Sequence, residues 1–431
     1  MIVIVIGALA GSAGYVIWRI SLPPLENIRI GVCADLDMFA GREALQGAIL
    51  AAEQTNAEGG ILGRNVTIVS EDDDSETQPY DIAVATNALT KLATVENADF
   101  IIANGGGGGT AITFTYQDIC SEHKKILFTL YRSPDEYTQR VVDDYEKYRY
   151  YFRTNPTNQT TISEGMIGDI LTVRNYTGFT KIALLFQDGT STRQIVSDLN
   201  ESLPSLGFQI VYNKLFAYGT VDFASYLAAI EEAGTEILVP YIGGQGGVSF
   251  VKEWYDRQSP CIVWGVILAA QDADFWQLTQ GKCDSVSFPG YPVVSGYPLT
   301  GKTLPTREAY IARWGKVPTI AAIGAYDTLR FILFDALRRA GTTETESVIK
   351  ALEETDVETS SARHFVFTSS HDVLVGSGSV NNLAEDYTVM CIFQWQNGTQ
   401  VPVKPESIME EAGATYKYPQ WNGPWDTSHI P

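Results

Sequence analysis

The sequence predicts an α/β protein built as two doubly wound parallel-sheet lobes joined by three hinge crossings. Two series of short apolar runs, over residues 28–130 and 181–267, alternate with amphipathic stretches. Strands alternating with helices imply parallel sheets covered on both faces. Three aromatic and polar breaks, YYFRTNPTNQT (150–160), SVSFPGYPVVSG (285–296) and HFVFTSSHD (364–372), read as three crossings between the lobes.

IRIGVCA (28–34) alternates apolar residues as a strand does. REALQGAILAAEQTNAEGG then places Leu45, Ala48, Ile49 and Ala52 on one helical face and stops at Gly59-Gly60. VTIVSEDD (66–73), a helix over about 79–93, DFIIA (99–103), a helix over about 110–122 and KILFTL (125–130) complete the first series. The second runs KIALLFQD (181–188), a helix from about 191, FQIVYNKLF (208–216), a helix over about 222–233, EILVPYI (236–242), a further helix and CIVWGVI (261–267). PTIAAIGAYDTLRFILFDALRRAG (318–341) is strongly helical and ends at Gly341. YTVMCIFQWQNGTQVPV (387–403) reads as a hairpin turning at Asn397-Gly398, and residues 404–431 as an extended tail.

Residues 2–20, IVIVIGALAGSAGYVIWRI, are apolar until Arg19, about the length that crosses a bilayer as a helix. Residues 1–20 therefore read as a membrane anchor or signal helix and residues 21–27, SLPPLEN, as a stalk. No basic residue precedes the apolar run, which favours an uncleaved helix anchoring the chain to the cell membrane; cleavage would make the protein secreted.

With 431 residues the chain has room for two or three domains, and its net charge of −21 excludes nucleic acid as a partner. The five cysteines form no CxxC, so no metal site is expected; Cys261 and Cys283, each beside a strand, either meet as a disulfide in an oxidising compartment or stay as two buried thiols. Asn-x-Ser/Thr sequons at Asn65, Asn158, Asn175, Asn200 and Asn397 suit a surface glycoprotein. No Walker lysine, HExxH or GxSxG occurs, and the four histidines are scattered, so neither an enzyme nor a cofactor is expected.

The stretch ANGGGGGTAITF (103–114) follows a strand-like run and opens a helix. Bare backbone there directs N–H groups at whatever sits above the helix N-terminus, a cradle for an anion. In open parallel sheets ligands bind beyond the carboxyl ends of the strands. The loops so placed are DLDMFAGRE (35–43), the glycine run with Thr110 and LYRSPD (130–135) in the first lobe. QDGTSTRQ (187–194), YIGGQGG (241–247) and GVILAAQD (265–272) take the same places in the second.

IRIGVCADLDMFAGREALQGAILAAEQTNAEGGILGRNVTIVSEDDDSETQPYDIAVATNALT resembles the opening of the type I extracytoplasmic solute-binding proteins of ABC importers, in the Leu/Ile/Val-binding branch. NAEGGILGRNV and DDDSETQPYDIAVATNALT are the most specific parts, and the similarity covers roughly residues 28–403. The resemblance implies the type I periplasmic binding protein fold, with residues 28–151 and 289–365 as one lobe and 152–288 and 366–403 as the other. It also implies a small-molecule ligand held in the cleft between them and an ABC permease as partner.

In family members that bind amino acids, hydroxyls in the loop matching the glycine run and a Thr in the loop matching 130–135 hold the ligand carboxylate. Here those places are Gly107, Gly108 and Gly109, with Thr110 kept and the second-loop Thr falling near Arg132. The acid that receives the ammonium falls near the apolar Val266-Ile267. The broken signature suits an organic anion better than a zwitterion, unless Asp35, Asp37 or Asp272 takes over the ammonium. The candidate ligand residues are Phe39, Gly107, Gly108, Gly109, Thr110, Tyr131, Arg132, Arg193 and Tyr241. A receptor or structural cell-surface ectodomain on the same fold is the alternative reading.

Overall fold

The computed structural model describes residues 2–7, 16–21, 26–74, 81–104, 109–131, 133–155, 158–243, 246–375, 387–388, 391–421, 423 and 425. At the N-terminus, β1 (Ile2–Gly7) pairs antiparallel with β2 (Val16–Ser21). This corrects the expected anchor helix: among the described residues no helix is long and apolar enough to cross a membrane. The Ile-Val run loses side-chain freedom in a helix and suits paired strands, and glycines at 7, 11 and 14 weaken a helix further.

In the first lobe, β3 (Ile28–Ala34), β4 (Val66–Asp72), β5 (Phe100–Asn104), β6 (Ile126–Leu130) and β7 (Tyr151–Arg153) form a parallel sheet in the order β4-β3-β5-β6-β7. Helices α1 (Phe39–Ala57), α2 (Ile82–Thr94), α3 (Gly109–Glu122), α4 (Glu136–Asp143) and α5 (Tyr145–Tyr148) intervene. Because strand side chains alternate faces, Ile30, Val32, Ile102 and Phe128 share one core with Ala44, Ala48 and Leu329, while Cys33, Ile101, Ala103 and Leu127 share another with Leu89 and Tyr116.

The second lobe repeats the plan with β8 (Lys181–Gln187), β9 (Gln209–Phe216), β10 (Ile237–Ile242), β11 (Ile262–Val263) and β12 (Val266–Ile267). Its order is β9-β8-β10-β11, with β12 continuing beside β10. Helices α6 (Gln159–Thr177), α7 (Thr190–Ser205), α8 (Ala224–Glu232) and α9 (Gly246–Arg257) cover it. In both lobes the winding reverses beside the first strand, so one crevice opens between the ends of β3 and β5 and another between those of β8 and β10.

β13 (Ser287–Gly290) belongs to the second crossing, and β14 (Asp356–Val357) pairs with β15 (Phe365–Val366). The expected late hairpin forms as β16 (Cys391–Gln396) and β17 (Thr399–Lys404), with Asn397 and Gly398 both at positive φ, 51° and 86°. β16 pairs with β13, and Ser287 bridges to Trp264, which joins the hairpin to the second lobe. The helical stretch 318–341 contains a π-helical segment, Thr328–Leu333, between α-helices Ile320–Asp327 and Phe334–Ala340, and it stops at Gly341. The tail is more than an extension. After a helix at Glu406–Glu411, Lys417 exchanges two hydrogen bonds with the buried Gln394 side chain, 2.9 Å each, and Trp421 lies edge-on against Trp254.

Of those two outcomes the structure holds the second: Cys261 and Cys283 form no disulfide and are buried thiols. Cys261 and Cys283 join Cys391 in an apolar cluster with Trp254 and Phe275, where they pack as small hydrophobic side chains. Among the sequons, Asn65, Asn175, Asn200 and Asn397 are exposed, while the Asn158 amide donates to Asp372.

The first and third crossings meet at Arg153, the last residue of β7. Its guanidinium reaches Asp372 from Nε (2.8 Å) and a terminal nitrogen (2.6 Å), and it also donates to the carbonyls of Ser133 and Pro134 and to Thr138. Alongside, His371 stacks on Phe152 at 4.0 Å between ring centres, with its nitrogens 3.0 Å from the Tyr151 carbonyl and from Glu353.

Candidate functional site

The first-lobe crevice starts where β3 ends. The Asp35 carboxylate accepts from the N–H groups of Asp37 and Met38, both 3.2 Å, and so shapes the turn that opens α1. Asp72, at the end of β4, accepts from the N–H groups of Leu36 and Asp74, both 3.1 Å. These turns bring the carboxylate oxygens of Asp35, Asp72 and Asp74 within 4.8 Å of one another. Partial desolvation, then the charges of Asp72, Asp35, Asp37 and Asp73, raise the Asp74 carboxyl above its ordinary value. Below them Asp73 is buried and accepts from the Tyr116 hydroxyl at 2.8 Å.

β5 ends at Asn104, 2% exposed, whose Oδ1 has no hydrogen-bond partner among the described residues. Past it the chain enters the glycine run and resumes as α3 from Gly109. Gly109 and Thr110 are thus the first two residues of that helix and Phe39 the first of α1. Gly107, Gly108 and Arg132 lie outside the described residues.

Tyr131 follows β6 with φ +55°, and its hydroxyl donates to the Ile320 carbonyl. Burial first, then Tyr291 and Asp327, push its phenol well above the ordinary value. It therefore ties the loop to helix Ile320–Asp327, and its ring stands half-buried at the strand end. Gly324 is the residue that lets the ring approach, since a Cβ there would sit 3.1 Å from the hydroxyl.

In the second lobe Tyr241, near the end of β10, stacks on Phe186 with ring centres 5.6 Å apart, and burial raises its phenol. Val266 and Ile267 pair with Tyr241 and Ile242, so the position expected for an ammonium acceptor is an apolar strand. Arg193 in the first turn of α7 is committed elsewhere: its side chain is 65% exposed and grips Asp188 through two bonds of 2.6 and 2.9 Å.

Sequence reasoning missed a cluster that spans the lobes. Asp272 of the second lobe is pushed up to about 6 by burial and by the charges of Glu43 and Asp274, opposed by Lys316. Glu43 and Lys316 belong to the first lobe and pair at 2.5 Å, while the second Glu43 oxygen is buried with no hydrogen-bond partner among the described residues. Only Asp272 was visible beforehand, as a candidate ammonium acceptor. Glu43 and Lys316 are 273 residues apart and carry no local signal.

The described residues of the two crevices contain the N-terminus of α3, two half-buried tyrosines and a group of carboxylates.

The sequence profile of the family described as periplasmic binding protein matches residues 28–380. Leu/Ile/Val-binding protein homolog 8 of Brucella melitensis is 24% identical over 397 residues, which cover 85% of this chain and 87% of that protein. Among solved structures, a putative branched-chain amino acid ABC transporter protein from Silicibacter pomeroyi superposes with a TM-score of 0.78 at 18% identity, over 92% of this chain and 100% of that one. The branched-chain amino acid transporter substrate binding protein of Streptococcus pneumoniae, in complex with isoleucine, gives 0.68 at 19% identity, over 88% and 100%. An ABC transporter solute binding protein from R. palustris, in complex with benzoate, gives 0.65 at 16% identity, over 88% and 95%.

Proposed function

Since the chain belongs to the periplasmic binding protein family, we propose that it is an extracytoplasmic solute-binding protein that captures a small organic anion between its lobes and delivers it to the permease of an ABC importer. The observations that support the ligand class are the start of α3 at Gly109, beyond the buried end of β5 at Asn104, and the apolar Val266-Ile267 strand of the second lobe. Backbone N–H groups and the positive end of a 14-residue helix favour a carboxylate or phosphate. Tyr131 and Tyr241 offer rigid walls for an apolar body. Neighbours of this fold have been captured with benzoate and with isoleucine, so the fold accommodates both classes.

A second reading, an amino acid, is favoured by the carboxylates of Asp35, Asp72 and Asp74 at the same crevice, which suit an ammonium. A thermal-shift panel of aromatic and aliphatic acids, each beside its amino-acid counterpart, separates the two, because affinity for the folded state raises the melting temperature. Stabilisation by the deaminated acids supports the anion reading. Stabilisation by amino acids alone replaces it with the second, and a silent panel favours a receptor or structural ectodomain.

A further inference from the structure

Asp135 of the first lobe and Asp372 of the third crossing converge on the start of α6, the helix by which the chain enters the second lobe. Asp135 lies in the loop between β6 and α4. It accepts from the N–H of Gln159 (3.0 Å), the N–H of Thr160 (3.2 Å) and the Thr160 hydroxyl (2.5 Å). The Ser133 carbonyl shares the Gln159 N–H at 2.7 Å. Asp372, on the third crossing and bound to Arg153, accepts from the amide of Asn158, the N-cap of α6, at 2.9 Å. Asn158 already caps the helix through a reciprocal pair with Thr161, so α6 has its own cap without Asp135.

The two contacts differ in kind. Asp372 lies on the third crossing, bound to Arg153 at the end of the first, and so stays close to the pivot as the lobes rotate. Asp135 belongs to the body of the first lobe and Thr160 to a helix packed inside the second, so their contact spans the lobes directly. A relative movement of about 1 Å takes these bonds past the ~3.5 Å at which a hydrogen bond fails. An anion at a helix N-terminus, holding one hydroxyl and two N–H groups, makes charge-assisted bonds stronger than neutral ones.

We propose that Asp135 is a latch between the lobes: its grip on Gln159 and Thr160 stabilises the approached arrangement and thereby sets the ratio of open to closed molecules before any ligand binds. A ligand shifts that ratio only by its differential affinity for the two states, so a stronger latch lowers the work closure demands of it.

Ligand-free protein tests this, whatever the ligand class turns out to be. Small-angle scattering of Asp135→Ala should show a larger radius of gyration than wild type, reflecting a shift of roughly tenfold toward the open state. Hydrogen exchange at Gln159 and Thr160 should accelerate. Thr160→Val, which deletes only the hydroxyl contact, should shift both readouts the same way by a smaller amount, and it carries the test should Asp135→Ala fail to fold. An unchanged radius of gyration in the folded variants overturns the latch. Faster exchange with no change in radius overturns it equally, leaving Asp135 as a cap for α6.

Discussion

Arg153 and Asp372, 219 residues apart, meet as a two-pronged ion pair with the arginine wholly out of water, 2.8 Å from Nε to Oδ1 and 2.6 Å from a terminal nitrogen to Oδ2. A buried pair adds little net stability over a well-packed apolar one. Removing one partner strands the other in low dielectric, where desolvation is uncompensated. This pair sits where two crossings touch, so its loss affects both lobes.

Arg153→Ala should therefore destabilise the protein by about 3–5 kcal/mol, read as a lower urea midpoint. Adding Asp372→Asn should cost much less than the sum of the two single changes, because the stranded charge is gone. Additive losses would mean that the pair contributes through packing alone.

Asp327 gives a pH prediction with a definite sign. Burial pushes its carboxyl up to about 6, although Ser360 donates to it at 2.6 Å. The unfolded chain releases that proton near the ordinary carboxylate value, so between about pH 4 and 6 the native state binds more protons and loses stability as pH rises. The contribution is fully present below about pH 4 and gone above about 6. In Asp327→Asn that fall should flatten relative to wild type across pH 4–6.5, the comparison cancelling other titrating groups. Parallel melting curves would show that the carboxyl titrates normally.

The cysteines should behave as core residues. Burial pushes the Cys261 and Cys283 thiols up to about 12, which leaves almost no thiolate at neutral pH. A thiol reagent should find no fast-reacting group in the native protein and 5 after denaturation. Reductant should leave the melting temperature unchanged; a drop would revive the disulfide.

The tail carries part of the second lobe's stability. The Trp421 ring meets Trp254 at 4.8 Å and Tyr255 at 5.3 Å, and its N–H donates to the Ser259 carbonyl at 3.0 Å. Trp421→Ala should cost about 2 kcal/mol for a half-buried aromatic with one hydrogen bond. Chemical denaturation measures it, and a change under 0.5 kcal/mol, the scale of an ordinary surface substitution, would mean the tail merely rests on the lobe.

What was legible in the sequence was whatever repeats locally. The strands from Ile28 to Leu130 and the helices between them follow from a period of two against a period of 3.6, and Asn397-Gly398 marks its own turn. The N-terminal run misled because length and apolarity alone do not separate a spanning helix from paired strands. Arg193 looked available because its partner Asp188 stands five positions away, a spacing with no motif behind it. Glu43, Lys316 and Asp272 come together only through the fold, as do Arg153 and Asp372. Charged residues that meet across hundreds of positions leave no period to read.

The ligand prediction turns on which charge the crevice lacks. A free α-amino acid brings an ammonium to a second lobe that offers Val266 and Ile267 where an acceptor is expected, and an unpaired charge there costs about a hundredfold in affinity or more. Calorimetry on matched pairs, an amino acid against its deaminated acid, should find the acid binding more tightly. If the carboxylates near Asp35 serve the ammonium instead, the amino acid wins, and Asp72→Asn should then weaken it while leaving the acid unchanged. Under the anion reading the same substitution removes a repulsive charge from the first-lobe crevice and should strengthen the acid. Because Asp72→Asn moves the two ligand classes in opposite directions, one variant and one ligand pair decide between them.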